Sequence, residues 1–214
     1  MLTDFVEGRT KLLNIFHFGF ETWEEIGIAA LLMNSSAIVQ FQSLDKGTYL
    51  PYVRALKKIE KEEGFHYHHA LDLTHQVMTE GTNVQRARVQ QAFETWFPRL
   101  IGYFGPPDSA VYESNPLFKW GIKVDSNDTI RQRWMTKIVP VVKSLGVYVD
   151  DSVAKYDEGT KSWSYSGVDW AEIKRLINDG GPMYKRWVES ITRSLESNKK
   201  YRRAALRSPY VDAA

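Results

Sequence analysis

Between Trp23 and Gln42 runs a helix-spaced stretch with almost no polar side. Its middle is Ala, Leu and Ile, with small residues at Gly27, Ala29, Ala30, Ser35, Ser36 and Ala37. Thr22-Trp23-Glu24-Glu25 opens it as a capping box, in which a threonine hydroxyl and a glutamate carboxylate satisfy amides that the first helical turn leaves orphaned. A helix that is apolar and small nearly all round has to be buried on several sides at once. Several other helices must therefore surround it, which points to an all-α bundle. The longest uninterrupted apolar run, Ile26 to Met33, is broken by Asn34, Ser35 and Ser36, so a membrane-crossing segment is not expected.

The flanking pattern supplies neighbours for that helix. Asp45-Lys46-Gly47 reads as a turn, and a second helix is expected from Leu50 to Thr79, with Pro51 in its first turn. Tyr52, Val53, Leu56, Ile59, Phe65, Ala70, Leu73 and Val77 keep helical spacing along it, while Arg54, Lys57, Lys58 and Lys61 form a wet face. A third helix is expected from Val84 to Tyr103, ended by Gly105-Pro106-Pro107. Residues 108–127 read as irregular, with a short helix before Trp120, and a further helix covers Asp128 to Leu145. The long connection from Val147 to Gly167 contains a small hairpin between Tyr156 and Tyr165. Asp169-Trp170-Ala171-Glu172 opens a short helix to about Asn178, and a last charged helix runs from Met183 to Leu206. Residues 1–20 show no clean period, and the alternation of Phe16, Phe18 and Phe20 suggests extended chain.

With 214 residues, one domain is expected over 1–214. Twenty-eight basic against 26 acidic residues leave a charge of +2, too even for a dedicated nucleic-acid binder. The absence of cysteine removes disulfides, iron–sulfur clusters and thiol catalysis, and fits a reducing, cytoplasmic compartment. Met-Leu-Thr-Asp lacks the basic and apolar regions of a secretion signal. Phosphate loops, nucleophile elbows and Ser/His/Asp orders are not found. The basic C-terminal helix, with Lys185, Arg186, Arg193, Lys199, Lys200, Arg202 and Arg203, reads first as a solvated face, and otherwise as a patch for an acidic partner or for the phosphates of a CoA ester.

Four of the five histidines, His66, His68, His69 and His75, fall on one expected helix. At about 100° per residue Glu62, Glu63, His66 and His69 form a stripe, while His68 and His75 point elsewhere. The tightest unit is Glu63-Gly64-Phe65-His66, a Glu-x-x-His. Di-iron and di-manganese carboxylate bundles hold each metal with such a unit plus further carboxylates. Hard oxygens tolerate both ferrous and ferric iron, and imidazole completes a site with open positions for dioxygen. The plainer reading is a helix-surface Glu–His contact of a few tenths of a kcal/mol. Asp72 and His75 repeat the spacing, roughly 13 Å further along the axis, and cannot serve the same centre.

The run Lys61-Glu62-Glu63-Gly64-Phe65-His66, then Phe97-Pro98, then Phe104-Gly105-Pro106-Pro107-Asp108, resembles the catalytic large subunit of the phenylacetyl-CoA epoxidase family, which carries Lys-Glu-Glu-Ser-Phe-His, Trp-Pro and Phe-Gly-Pro-x-Asp at similar separations. The resemblance continues through Asp128-x-x-Arg131-Gln132-Arg133, Val139-Pro140, Leu145-Gly146 and Asp169-Trp170. Upstream it takes in Trp23-x-x-Ile26-Gly27 and Ala37-Ile38-Val39. It implies a ferritin-like bundle and a multicomponent, oxygen-dependent di-iron monooxygenase that epoxidises the ring of phenylacetyl-CoA in aerobic phenylacetate breakdown. It also implies a reductase subunit that delivers electrons and a related, non-catalytic helical subunit. Nucleic acid and membrane are not among the partners it suggests.

Carried onto this chain, Glu63 and His66 match the family's second Glu-x-x-His, with Glu62 and His69 as weaker candidates. The family's carboxylate on the preceding helix falls at Asn34, an amide that cannot bridge two irons. The first helix pair, with another carboxylate and the first Glu-x-x-His, has no counterpart in these residues. Three arrangements are compatible with that pattern: a fragment or split subunit completed by another chain, a degenerate relative kept for assembly, or a weak single-metal site on Glu62, Glu63, His66 and His69.

Overall fold

The computed structural model describes residues 2–108 and 115–205. In chain order these form α1 (Leu2–Val6), a 3-10 turn (Asn14–His17), α2 (Trp23–Leu44), α3 (Leu50–Glu80), α4 (Asn83–Ile101) and a second 3-10 turn (Gly102–Phe104). They continue with α5 (Pro116–Lys119), α6 (Asn127–Ser144), β1 (Ala154–Asp157), β2 (Ser162–Tyr165), α7 (Trp170–Asp179) and α8 (Tyr184–Ala205). The fold is an all-α bundle whose one described sheet is the antiparallel pair β1–β2, with Tyr156 opposite Trp163. The expected helices are all found, with ends moved by a residue or two. The exception is the first 20 residues, where α1 and the 3-10 turn replace extended chain, and Phe16 lies within that turn. Leu206 of the expected last helix and positions 109–114 lie outside the described residues.

The chain divides into two compact units, residues 20–170 and residues 1–19 with 171–214. In the larger unit α2 is central and packs on α3, α4 and α6. Thr22 caps it by accepting from the Glu25 amide, and the Glu25 carboxylate reaches back one residue further than a standard box, to the Glu21 amide at 2.7 Å. Ile28, Ala29, Leu31, Leu32, Ser36 and Val39 are almost fully buried along one side. Each buried Leu or Ile removes enough apolar surface from water to contribute about 1.5–3 kcal/mol. By length and hydropathy α2 also passes as a membrane-crossing helix, contrary to the expectation from its interrupted apolar run. Its packing against three helices is the use a bundle makes of such a segment.

The opposite side of α2 is only half covered. Ile26 is exposed, and Ala30, Met33, Asn34, Ala37 and Phe41 are half-buried. At about 100° per residue these positions form one continuous stripe, with Asn34 as its polar member.

The core of this unit is aromatic. Phe93 stacks on Phe97 at 4.8 Å, Phe97 on Trp134 at 5.5 Å, and Phe104 tilts against Trp134 at 5.5 Å. The Trp134 indole donates to the Ser35 hydroxyl at 2.9 Å, so the small residues of α2 admit a buried ring and satisfy its one donor. The Trp96 indole donates to Glu25 at 2.6 Å. Arg131, fully buried, closes the break after α4. It donates to the Ile101 carbonyl at 3.0 Å, to the Gly105 carbonyl and to Asp128, and its guanidinium lies over the Tyr165 and Trp170 rings. Gly105 is needed there because φ is +94°, a left-handed conformation that costs a side-chain-bearing residue energy.

In the smaller unit α1 packs on α8. His17 is 1% exposed; its Nδ1 accepts the Gly181 amide at 2.9 Å, and its ring stacks on Tyr184 at 5.9 Å.

Candidate metal centre

Every candidate ligand but Asn34 sits on α3, a 31-residue helix with its apolar positions on one side and lysines on the other. Gly64 interrupts neither the helix nor its packing, since a Cβ there would meet nothing within 4 Å. The Glu63 carboxylate approaches His66 Nδ1 at 3.9 Å, with side-chain exposures of 23% and 57%. That is a loose contact across one turn. Glu62 and His69 are exposed. His68 turns back on its own helix, its Nδ1 lying 2.7 Å from the Gly64 carbonyl.

The antiparallel register of α2 on α3 is set by two contacts. Gln42 donates to Glu60 at 2.9 Å near one end, and Gly27 approaches the Thr74 hydroxyl near the other, where an added Cβ would lie 3.9 Å away. Between them Asn34 stands level with Tyr67, about one residue from His66 and about one turn from Glu63 along the axis. Asn34 is therefore at the height where a ligand from α2 would stand, but it presents a neutral amide.

A tyrosine near Glu63, Tyr103, carries no signal in the sequence that links it to α3. Burial pushes the Tyr103 phenol up to about 12, with the nearby charges of Tyr52 and Glu63 adding to the effect. A buried phenol facing a carboxylate stays protonated and can donate. The Phe104-Gly105-Pro106 break that ends this segment was visible in the sequence, but no local pattern connects it to α3.

Among the described residues no group of three or more His, Asp or Glu side chains gathers to hold a metal ion. The expected stripe of Glu62, Glu63, His66 and His69 therefore does not assemble into a site. The four positions share one face but spread over about 10 Å of the helix axis, too far for all of them to meet at one point. What this chain presents is one Glu-x-x-His unit with an amide at the level of its neighbour. That does not fit a complete iron centre.

The family model for the phenylacetic acid catabolic protein matches residues 1–180. The chain belongs to that family. In this family member the matched residues cover all of the larger unit, including Asn34, Glu63 and His66. It is 32% identical over 202 residues to one subunit of the 1,2-phenylacetyl-CoA epoxidase of Escherichia coli (strain K12), a match covering 94% of this chain. The chain spans 65% of the length of that relative. The resemblance read from the short motifs of α2, α3 and α6 thus holds over nearly the whole chain.

Proposed function

We propose that this chain is part of a multicomponent, oxygen-dependent di-iron monooxygenase of the phenylacetyl-CoA epoxidase type, acting on an aromatic acyl-CoA in the cytoplasm. The observation that carries the reading is the similarity to an epoxidase subunit over 94% of the chain, and the Glu-x-x-His spacing of Glu63 and His66, 3.9 Å apart, supports it. In this reading Glu63 and His66 contribute half of an iron site, with Glu62 and His69 as outer polar neighbours. Helices outside these 214 residues contribute the remaining ligands and cover the half-exposed stripe of α2. When bound, the iron would supply dioxygen activation for oxygen insertion into the aromatic ring, with electrons from a separate reductase subunit. The part assigned to this chain is to hold two ligands on a rigid helix and to keep the Tyr103 phenol protonated beside one of them.

A second reading is a non-catalytic assembly subunit related to the catalytic one, and a specific observation favours it. Asn34 is an amide where a carboxylate ligand is expected, and the described residues bring no third ligand to Glu63 and His66. One experiment separates the two. The chain is co-expressed with its neighbouring gene products, the complex is isolated, and its iron content and turnover of phenylacetyl-CoA with a reductase are measured. Two irons per complex, lost on Glu63→Ala without loss of assembly, supports the catalytic reading. An assembled complex whose iron is unaffected by Glu63→Ala overturns it in favour of assembly, and failure to associate with any related helical subunit overturns both.

A further inference from the structure

Outside the candidate metal centre, a cavity of about 320 Å³ opens between α4 and the segment that follows α6. Phe93, Phe97 and Val149 form its buried apolar wall, the exposed Tyr148 ring flanks it, and the carboxylates of Glu94 and Asp150 stand at its exposed rim. The cavity is built rather than incidental. Gln90 on α4 pairs with the backbone of Tyr148 in both directions, donating from Nε2 to the carbonyl at 3.0 Å and accepting the amide at 2.8 Å. This holds the loop at a set distance from the two phenylalanines. The same Nε2 donates to Glu94 at 3.0 Å, which orients that carboxylate. Asp150 is fixed through the Ser152 amide at 2.8 Å, and this hydrogen bond holds its carboxyl below the usual range, so it is ionised at neutral pH.

Neither rim carboxylate has a basic side chain within ion-pair distance among the described residues, although the chain as a whole carries a positive charge. Two unneutralised negative charges beside low-dielectric aromatic walls focus a negative potential on the cavity mouth. The face of an aromatic ring attracts cations and tolerates apolar bodies, and the exposed ring here is that of Tyr148. An anionic ligand, including a free aromatic acid, meets repulsion at the same place.

We propose that this cavity is a binding site for a small organic cation with a ring-sized apolar body, of the arylalkylammonium class, seated against the Tyr148 ring, Pro98 and Val153, with its ammonium between Glu94 and Asp150. The site is separate from the oxygenase reading and does not depend on it. The test uses three ligands of one skeleton and different charge, 2-phenylethylammonium, 2-phenylethanol and phenylacetate, titrated into the full chain while the methyl resonances of Val149 and Val153 are followed. The expected order of affinity is cation, alcohol, acid, with the cation about tenfold or more above the acid. The double variant Glu94→Gln/Asp150→Asn keeps the acceptors that orient both side chains and is expected to bring that ratio close to one. Val153→Phe, which fills the cavity, is expected to remove binding of all three. Equal or tighter binding of phenylacetate, a preference that survives the double variant, or methyl resonances that none of the ligands moves would each overturn the assignment.

Discussion

The side-chain amide of Gln132 pairs with the backbone of Trp163 as a neighbouring strand would. Nε2 donates to the Trp163 carbonyl at 2.8 Å, and the Trp163 amide donates back to Oε1 at 2.7 Å. The Trp163 indole adds a hydrogen bond to the Thr136 hydroxyl at 3.0 Å. A two-stranded hairpin is marginal by itself, and β1–β2 is held because α6 supplies an edge partner for it. The Gln90–Tyr148 pair does the same at the start of the connection, so the segment that sequence periodicity leaves irregular is tied down at both ends.

Gln132→Leu is expected to destabilise the chain by about 1–2 kcal/mol, the net loss of two hydrogen bonds at a partly solvated site. Urea unfolding of the two proteins checks this, with a lower midpoint and an unchanged slope as the expected result.

Arg131 offers a sharper case. Its fully buried guanidinium satisfies the carbonyls of Ile101 and Gly105, and Arg131→Met leaves both without a donor in the core. The expected cost is about 3 kcal/mol or more. Arg131→Lys should rescue little of it, because one ammonium cannot reproduce the planar fork. A thermal melt in which the lysine variant matched the parent would contradict this account.

Gly64 is the opposite kind of site. In an interior helical position, with open space around the missing Cβ, it costs α3 backbone entropy without any packing return. Gly64→Ala should stabilise the chain by about 0.5–1 kcal/mol. A rise in melting temperature with unchanged helix content is the expected observation.

His17 predicts a pH dependence confined to the smaller unit. Burial lowers its pKa below 6.5, partly offset by its contact with the Leu12 carbonyl, and Nδ1 must stay unprotonated to accept the Gly181 amide. Folding therefore favours the neutral ring. Its contribution is fully present above pH 6.5 and is lost as the pH falls through the folded value, because the unfolded chain takes up the proton first. The protection factor of the Gly181 amide, its exchange rate set against the intrinsic rate at each pH, should fall below pH 6.5, and His17→Asn, which keeps an acceptor but does not titrate there, should remove the pH step. A protection factor that is flat with pH in the parent protein would sink the prediction.

Local signals were readable without coordinates. The Thr22 cap, the all-round apolarity of α2, the spacing on α3 and the hairpin between Tyr156 and Tyr165 each depend on residues within a few positions of one another. Chain geometry makes such residues neighbours in almost any fold. Glu63 and His66 were legible for the same reason, being one helical turn apart. The motif order of α2, α3 and α6 pointed to the family as well.

The tertiary structure decided what depends on residues far apart in the chain. It set Asn34 level with His66, put Tyr103 beside Glu63, buried Arg131 under the Gly105 break, and aligned the amides of Gln90 and Gln132 with backbone 58 and 31 residues away. Among the described residues it also brought no three-ligand group together on the α3 stripe, whose four positions spread over about 10 Å of the helix axis. A polar side chain's partner is selected by which helices pack together and in what register, and that choice rests on summed apolar burial over whole elements, which no short window of sequence contains.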